Sequence, residues 1–535
     1  MEIRKLPNDK YLLAIAGLAL VSIIYWTMFA VNAYNTYHEY LDVGGYAFDM
    51  YQHIHYAGTL HGLQYLIFSN HITPDSILLL PFFAIWQSAI TLLLLQAIIL
   101  SLTGVVVFLV ARDLLKSEKI ALMLGAAFLL NPGMHGMMVF DFHSEMFLPL
   151  FVILTFYFAA KNRPVLFAIS LLLLLGAIDV APIVALALGA GLVFYALFRE
   201  HGAERRRWLL YSTATIIMSL AVLGFYGFVV SSLVSSYASN AYPSLPLMSE
   251  VMPFLGGQIS SLGGSGTSFS SAYYMLGGYL LYALALVLLG FGVAALFDPV
   301  ATALFIAPWL AEIFVVKTVE FIFIWNQYFS YALGGIVVAT ILSMKAINEN
   351  RNWILRHVFR DTHRYHRYIA GSIIALSLLL FIISPYFVRS KNVNNLSQDF
   401  LFSVNSTVRP QIAALDSIVK AVPANASLMA PGFAIPHLFR RQYIEPLPSD
   451  YGGYALVQNS APHPQVWGMG FEPDYILVDF NPYISLNAFY GNQVQNFLNI
   501  TGATYSDGRV EFNGSYSVYA YNGSALLLKR NLSRV

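Results

Sequence analysis

Residues 89–111, AITLLLLQAIILSLTGVVVFLVA, decide the fold, because they form a long apolar run without a charged side chain. A helix needs about 20 such residues to cross the hydrocarbon core of a bilayer. Similar runs occur at residues 11–31, 120–140, 146–160, 165–178, 180–198, 208–231, 272–296, 299–316, 328–345 and 368–387. The pattern therefore predicts an α-helical polytopic membrane protein with about 11 transmembrane helices.

Composition supports this interpretation and excludes several other classes of protein. Of the 535 residues, 58% are hydrophobic and 11% are charged, and the mean hydropathy is +0.63. Soluble globular chains contain about 25% charged residues. The values exclude an ordinary soluble enzyme, a disordered chain and a nucleic-acid-binding protein, and they make the lipid bilayer the expected partner. The chain has no cysteine, which excludes disulfides, thiolate zinc sites and cysteine nucleophiles.

The distribution of Lys and Arg predicts the orientation in the membrane. With the N-terminus inside, the inner segments hold nearly all basic residues before residue 388, and the outer segments hold only Lys317. Because cytoplasmic loops are enriched in Lys and Arg, we expect a cytoplasmic N-terminus in the cell membrane. An odd number of helices then places the C-terminal segment on the extracytoplasmic side.

Two domains follow from this pattern. Residues 1–388 form the predicted transmembrane domain, with a large first outer loop at 33–88, and residues 389–535 form a predicted extracytoplasmic α/β domain. The second domain holds all seven N-x-Ser/Thr sequons of the chain, at Asn395, Asn405, Asn425, Asn499, Asn513, Asn522 and Asn531. Short runs rich in apolar residues predict strands at 427–430, 475–479, 516–521 and 525–529, and residues 412–422 are predicted to form a helix.

Ionisable residues gather where the predicted outer loops meet the helices. The first outer loop lacks Lys and Arg and carries Asp42, Asp49, His53, His71 and Asp75. Its segment 77–86 is too short to span and is expected at the membrane interface. We interpret Asp42 and Asp75 as ordinary solvated loop carboxylates, with Asp75 capping the interfacial helix.

Two further outer segments carry ionisable residues next to apolar ones. DFHSE contains Asp141, His143 and Glu145, and LLGAIDVAP contains Asp179. Ionisable groups at membrane depth are costly and are functional candidates by default. We expect Asp49, Asp141, His143 and Asp179 to share one cavity near the outer surface.

An Asp-x-His pair can hold a hard divalent cation such as Mg²⁺ or Mn²⁺ through one oxygen and one nitrogen. Asp141 and His143 are the expected ligands, with Glu145 and Asp49 beside them. The preceding Asn131-Pro132-Gly133 predicts a broken helix of the kind that lines a cavity.

The excess of acids at this face would repel a bare phosphate, which would need a metal ion or arginines from the C-terminal domain. Arg440 and Arg441, next to His437 in PHLFRR, are the candidates.

Several motifs together resemble a known family. FDMYQH, the NHITPDSILLLPFFAIW run, FDFHSE, LLGAIDVAP and ASLMAPGFAIPHLFRRQYI occur in the order found in an uncharacterised family of predicted polytopic membrane proteins of archaea and bacteria. That family is grouped with the membrane-embedded C-type glycosyltransferases. The resemblance extends from about residue 40 to residue 535.

The resemblance implies catalytic roles for three residues. Asp49 matches the catalytic carboxylate of the first outer loop, and Asp141 and His143 stand where many such enzymes carry an acidic pair. Asp179 matches the last residue of a Lys-Glu-Asp motif, although Ala177 and Ile178 replace the other two residues. The Trp-Trp-Asp motif of oligosaccharyltransferases is absent, which argues against protein N-glycosylation.

The implied activity is glycosyl transfer from a polyprenyl-phosphate sugar on the extracytoplasmic face. Asp49 is expected to act as a general base on the acceptor hydroxyl. Contacts with the substrate are expected from His53, His71, Asp179, His437, Arg440 and Arg441. Two alternatives from other classes are a cation transporter or channel and a non-catalytic surface or assembly protein.

Overall fold

In a computed structural model, the structure describes residues 10–37, 41–56, 66–67, 71–226, 291, 302–307, 327–349, 362–383, 409–446, 473–479, 503–506, 509–512, 516–522 and 525–531. The helices before residue 388 are α1 Lys10–Asn35, α2 Leu41–His55, α3 Leu80–Ile85, α4 Ala89–Leu115, α5 Glu118–Leu129, α6 Pro132–Phe140, α7 Phe147–Ala160, α8 Pro164–Gly176, α9 Ala181–Arg199, α10 Gly202–Phe225, α11 Ser330–Asn348 and α12 Thr362–Ile383. Short 3-10 turns lie at Pro74–Leu78, Ser144–Met146 and Gln327–Phe329.

The long apolar runs form long helices, as predicted. Among the described residues, six helical stretches are long and apolar enough to cross a membrane: Lys10–Asn35, Ala89–Leu115, Glu118–Phe140, Ala181–Arg199, Gly202–Phe225 and Gln327–Asn348. Shorter apolar helices lie at Ser144–Ala160, Pro164–Gly176 and Gly371–Phe381. The predicted spans at 272–296 and 299–316 lie mostly outside the described residues, so the total of 11 stays a prediction.

Helix α4 is the centre of the bundle and packs on α1, α5, α7 and α11. The Ser88 hydroxyl accepts a hydrogen bond from the Ile90 amide at its start, which satisfies one of the amides that a helix leaves free. The helix ends at Leu115, because the next residue, Lys116, has a positive φ of 55° and leaves the helical conformation.

The predicted break at Asn131-Pro132-Gly133 is confirmed. α5 ends at Leu129, and α6 begins at Pro132 after Asn131, whose side chain accepts from the Gly133 amide at 2.9 Å. Proline has no amide hydrogen and fits the first turn of a helix. The break lets the short helix α6 end at Phe140, directly before Asp141.

Part of the first outer loop is helical, which the loop interpretation missed. α2 contains Gly44 and Gly45, and each glycine costs about 1 kcal/mol relative to alanine in a helix interior. The helix forms because both of its faces are covered: Val43, Phe48 and Met50 are all fully buried or nearly so. Tertiary packing therefore outweighs local propensity.

The segment predicted at 77–86 forms no helix long enough to span a membrane, as expected for an interfacial element. The Pro74–Leu78 turn and α3 expose Ile77, Phe82 and Ile85, whereas Phe83 is buried and its ring lies 5.9 Å from that of Phe439. One face is therefore free to meet lipid, and the other packs on the C-terminal domain.

The C-terminal domain is an α/β unit, as predicted. It consists of α13 Arg409–Ala421, β1 Leu428–Ala430, α14 Ile435–Leu438, β2 Ile444–Pro446, β3 Tyr475–Asp479, β4 Ala503–Ser506, β5 Arg509–Phe512, β6 Tyr516–Asn522 and β7 Ala525–Arg530. Five strands form a sheet in the order β2-β1-β3-β7-β6, and β4 and β5 form a separate pair. β1 is parallel to β2 and β3, whereas β7 is antiparallel to β3 and β6. The predicted helix and all four predicted strands are confirmed.

Candidate functional site

A single glutamine organises the DFHSE segment at the end of the bundle. Gln96, in the second turn of α4, donates from Nε2 to the carbonyl oxygens of Met137 and Asp141, both at 2.8 Å. Its Oε1 accepts from the amide of His143 at 3.0 Å. Three backbone groups at the end of α6 are therefore satisfied by one buried side chain. Sequence reasoning missed this residue, although a polar side chain inside the apolar run 89–111 was its signal.

Asp141 joins this segment to the start of α2. One carboxylate oxygen accepts from the Val43 amide at 3.1 Å, and the other accepts from the Phe142 amide at 2.6 Å. The Val43 amide belongs to the first turn of α2, where amides lack helical partners and the helix dipole favours negative charge. Asp141 is thus a buried carboxylate that holds two chain segments together.

His143 pairs with Asp42 rather than with Asp141. His143 Nε2 lies 3.4 Å from an Asp42 carboxylate oxygen, and the imidazole is almost fully buried. Burial favours the neutral ring, but the hydrogen bond and charge of Asp42, with the charge of Glu145, raise the pKa of His143 above its ordinary value. Burial likewise opposes ionisation of Asp42, yet His143 outweighs it and lowers the pKa of Asp42. Interpreting Asp42 as a solvated loop residue was therefore wrong.

A second imidazole–carboxylate pair lies beside the first. His71 Nδ1 is 3.0 Å from an Asp179 carboxylate oxygen, with 38% of the His71 side chain exposed. Burial lowers the pKa of His71, but the charge and hydrogen bond of Asp179, with the charges of Glu145 and Asp42, raise it to about 9. Because Glu145 and Asp42 act on both histidines, the two pairs belong to one site.

Two buried carboxylates of this site lie outside both pairs: Asp141, which accepts from backbone amides, and Glu145. Glu145 is 2% exposed, and its Oε2 has no hydrogen-bond partner among the residues that the structure describes. Nearby, the Tyr46 hydroxyl lies 3.2 Å from the Ser144 hydroxyl oxygen. Burial and the charge of Glu145 hold the pKa of Tyr46 well above its ordinary value, so the phenol stays protonated.

We call Asp42, Tyr46, His71, Asp141, His143, Glu145 and Asp179 the polar site. It lies at the end of the bundle where α4 begins and α6 and α8 end. Asp113, with Lys116 and Lys161 at 3.0 and 2.8 Å, lies near the other end of α4. Gln96, which holds the DFHSE segment, and Asp113 are about 25 Å apart along α4 at 1.5 Å per residue. The acidic and basic helix ends thus lie at opposite ends of the bundle, as the charge distribution predicts.

Asp49, His53 and Asp75 belong to the same part of the chain as the first residues of the polar site. Asp49 is buried two turns after Asp42 on α2, and His53 follows on the same face. Asp75 is buried, not solvated as expected, and burial raises its pKa to about 7. Thr73 is the residue that precedes the 3-10 turn Pro74–Leu78. Asp75 lies inside this turn and therefore does not cap it.

The predicted phosphate-binding residues of the C-terminal domain have other partners. Arg441 is buried and donates to the carbonyl oxygens of Leu438, Pro423 and Ala426, so its guanidinium stabilises its own domain. His437 stacks on Tyr34 with the ring centroids 4.0 Å apart, and burial lowers its pKa to about 4. Arg440 is exposed next to the Phe439 ring.

A metal ion was expected between Asp141 and His143. Among the described parts of the chain, no three His, Asp or Glu side chains come together as a group that could hold one. Asp141 accepts from two amides and His143 Nε2 faces Asp42, so these atoms already have protein partners. As placed, these residues do not form a metal site within the described parts of the chain. The divalent cation stays a prediction.

The architecture and the buried polar site define a polytopic helical membrane protein with a C-terminal α/β domain. Residues 28–519 match the model of a family described as "Predicted membrane protein (DUF2079)". The match covers most of the chain, which therefore belongs to this family of predicted membrane proteins, as the motifs indicated. No curated protein matches the sequence.

Proposed function

We propose that the protein is a membrane-embedded glycosyltransferase that uses a polyprenyl-phosphate sugar on the extracytoplasmic face of the cell membrane. The observation that supports this proposal is the polar site itself: two imidazole–carboxylate pairs and two further buried carboxylates at one end of an apolar bundle. The motif resemblance to C-type glycosyltransferases agrees with this proposal. A polyprenyl chain stays in the bilayer and presents its phosphate at the membrane surface, level with such a site.

The two histidines supply the positive charge that the leaving phosphate needs. With a pKa of about 9, His71 is protonated at neutral pH, and the hydrogen bond and charge of Asp42 shift the pKa of His143 in the same direction. The first outer loop and DFHSE contain no Lys or Arg, so His71 and His143 are the cations of the polar site. A protonated imidazole donates a charge-assisted hydrogen bond to a phosphate oxygen.

A carboxylate is required as the base. The acceptor hydroxyl oxygen attacks C1 of the sugar, and the base takes the hydroxyl proton. The bond between C1 and the phosphate oxygen breaks, and polyprenyl phosphate leaves with the electron pair. Asp49 is the base that the motif resemblance implies. Glu145 is a second candidate, because its buried Oε2 is not used by either ion pair.

The test is turnover of the donor by the full-length protein in lipid nanodiscs. A panel of polyprenyl-phosphate sugars is supplied with a mixture of acceptor alcohols, with and without Mg²⁺ or Mn²⁺. Released polyprenyl phosphate is then measured by mass spectrometry. Wild type should release it, and the variant that loses the base, Asp49→Asn or Glu145→Gln, should be slower by about 100-fold or more.

Asp113→Asn is the matched control, because it removes an ion-paired aspartate at the opposite end of the bundle. It should keep wild-type turnover. Equal turnover in Asp49→Asn, Glu145→Gln and wild type would remove the proposed bases. Absence of release with every donor, together with ion flux through liposomes that contain the protein, would favour the transporter alternative.

A further inference from the structure

Helix α2 lies between the polar site and the C-terminal domain, and it presents a different face to each. Successive residues of a helix are about 100° apart, so positions four and seven residues apart share a face. Asp42, Tyr46 and Asp49 therefore lie along one side. Gly44 and Tyr51 lie along the opposite side. The first face carries residues of the polar site, and the second contacts α14.

The contact at Gly44 is a close approach of two backbones. A Cβ atom at this position would lie 2.8 Å from Ile435 Cγ2 and 3.0 Å from both Pro436 Cδ and the Pro436 nitrogen. Real side chains do not tolerate such distances unless a neighbour moves, and the proline backbone cannot move alone. Only glycine lets α2 and α14 come this close.

Two turns further along, Gln52 ties the same helix to the chain after α14. Its Nε2 donates to the carbonyl oxygens of Arg441 at 2.9 Å and Gln442 at 3.1 Å. Tyr51 packs edge-on against Phe439 beside it, with the ring centroids 6.0 Å apart. α2 is thus held by the C-terminal domain at two points about 12 Å apart along its axis.

The chain that enters α2 is held by the same domain. The Tyr37 hydroxyl donates to an Asp416 carboxylate oxygen at 2.7 Å, and the Tyr37 ring lies 4.2 Å from that of His437. His437 Nε2 donates to the Tyr34 carbonyl oxygen at 3.0 Å. The end of α1, the following turn and α2 are therefore all positioned by contacts with one domain.

From these contacts we infer that the C-terminal domain sets the position of the polar site through α2, with Gly44 and Gln52 as positioning residues. A helix is a stiff element, so a shift imposed on one face displaces the other. Displacing α2 moves Asp42 away from His143 and Tyr46 away from Ser144. The inference rests on the polar site of the proposed function, but it concerns geometry and is tested without measuring activity.

The test uses the absence of native cysteine. Ser144 is fully buried on the 3-10 turn opposite α2, and its hydroxyl oxygen lies 3.2 Å from that of Tyr46. A Ser144→Cys substitution therefore places a single thiol under α2, and its labelling rate with a water-soluble maleimide reports displacement of the helix. Measurements are made on the full-length protein in nanodiscs.

Three changes are compared in this background. Gly44→Ala adds the Cβ that collides with α14, and Gln52→Met removes the two hydrogen bonds while keeping the length of the side chain. Gly17→Ala is the matched control, because nothing lies within 4 Å of a Cβ at that position. We expect the first two to raise the labelling rate about tenfold, equivalent to about 1.4 kcal/mol in the opening equilibrium. Gly17→Ala should leave it unchanged.

A second reporter distinguishes displacement of α2 from general unfolding. Ser343→Cys places a thiol on α11, where the native side chain is fully buried. An increase confined to the Ser144→Cys thiol supports the inference. An unchanged rate in both Gly44→Ala and Gln52→Met overturns it. A parallel increase at both reporters also overturns it, because the C-terminal domain would then support the whole bundle rather than α2.

Discussion

The pair of His71 and Asp179 makes binding of a phosphate dependent on pH, and Asp179→Asn should move that dependence. The carboxylate of Asp179 is the main group that raises the pKa of His71 against the effect of burial. Asparagine has almost the same shape but carries no charge. Without that charge, burial offsets the smaller effects of Glu145 and Asp42, and we expect the imidazole pKa to return to the ordinary histidine value of about 6.5.

The size of the effect follows from the two pKa values. With a pKa of about 9, about 90% of His71 is protonated at pH 8 in the wild type. With a pKa of about 6.5, about 3% is protonated at the same pH. If the imidazolium is the form that binds, affinity at pH 8 should fall about 30-fold in Asp179→Asn, which is about 2 kcal/mol.

The sign of the pH dependence is also determined. A histidine whose pKa is raised in the folded state is a cation below that pKa, so affinity is high below about pH 9 and declines above it. The pair also contributes stability that is complete below about pH 6.5 and is lost as the pH rises through the folded value. In Asp179→Asn, the decline in affinity should begin near pH 6.

The assay is titration of the protein in nanodiscs with polyprenyl phosphate, followed by microscale thermophoresis from pH 5 to pH 10. Asp113→Asn, which removes an ion-paired aspartate far from the site, should bind as the wild type does. Identical pH midpoints for wild type and Asp179→Asn would refute the reasoning, because His71 would then not be the cation that Asp179 controls.

Three other predictions concern single residues. Gln96→Leu leaves two carbonyls and one amide unsatisfied at the end of α6 and should cost about 1–3 kcal/mol for each group that water does not reach. The thermal midpoint should fall well below that of Gln87→Leu, because the Gln87 side chain makes a solvent-exposed hydrogen bond with His55. Wild type should lose stability as the pH rises from about 4 through about 7, because burial raises the pKa of Asp75. Asp75→Asn should remove that change. If the thermal midpoint of the variant kept the pH profile of the wild type, this assignment would be contradicted. Asn425 is exposed between α13 and β1, so expression in a glycosylating host should give a glycan that Asn425→Gln removes; an unmodified Asn425 would argue against the outward orientation of the C-terminal domain.

The helical bundle and the small sheet were predictable because their signals are local. The apolar run at 89–111 predicts a spanning helix from its length alone, and α4 confirms it over Ala89–Leu115. β3 occupies residues 475–479, as the short apolar run in that segment predicts. The helix break at Pro132 follows from the missing amide of proline. Each of these features depends on residues that are neighbours in sequence.

The partners within the polar site were not predictable, because they are set by contacts between distant segments. Asp141 and His143 are two residues apart and were expected to share a ligand. In the structure, Asp141 binds backbone amides, and His143 pairs with Asp42, about a hundred residues earlier. Arg441 likewise carries the charge expected of a phosphate ligand, but its position buries that charge among carbonyl groups of its own domain.

The sequence by itself therefore determined the membrane class, the helical runs, the family and the set of ionisable residues near the outer loops. It did so because hydropathy, proline and charge act over a few residues at a time. Only the tertiary structure decided that α2 is a helix despite its two glycines and that it joins the C-terminal domain to the polar site. That result depends on close approach at Gly44, which no local pattern contains, because the fit of α14 against α2 exists only once the two segments have met.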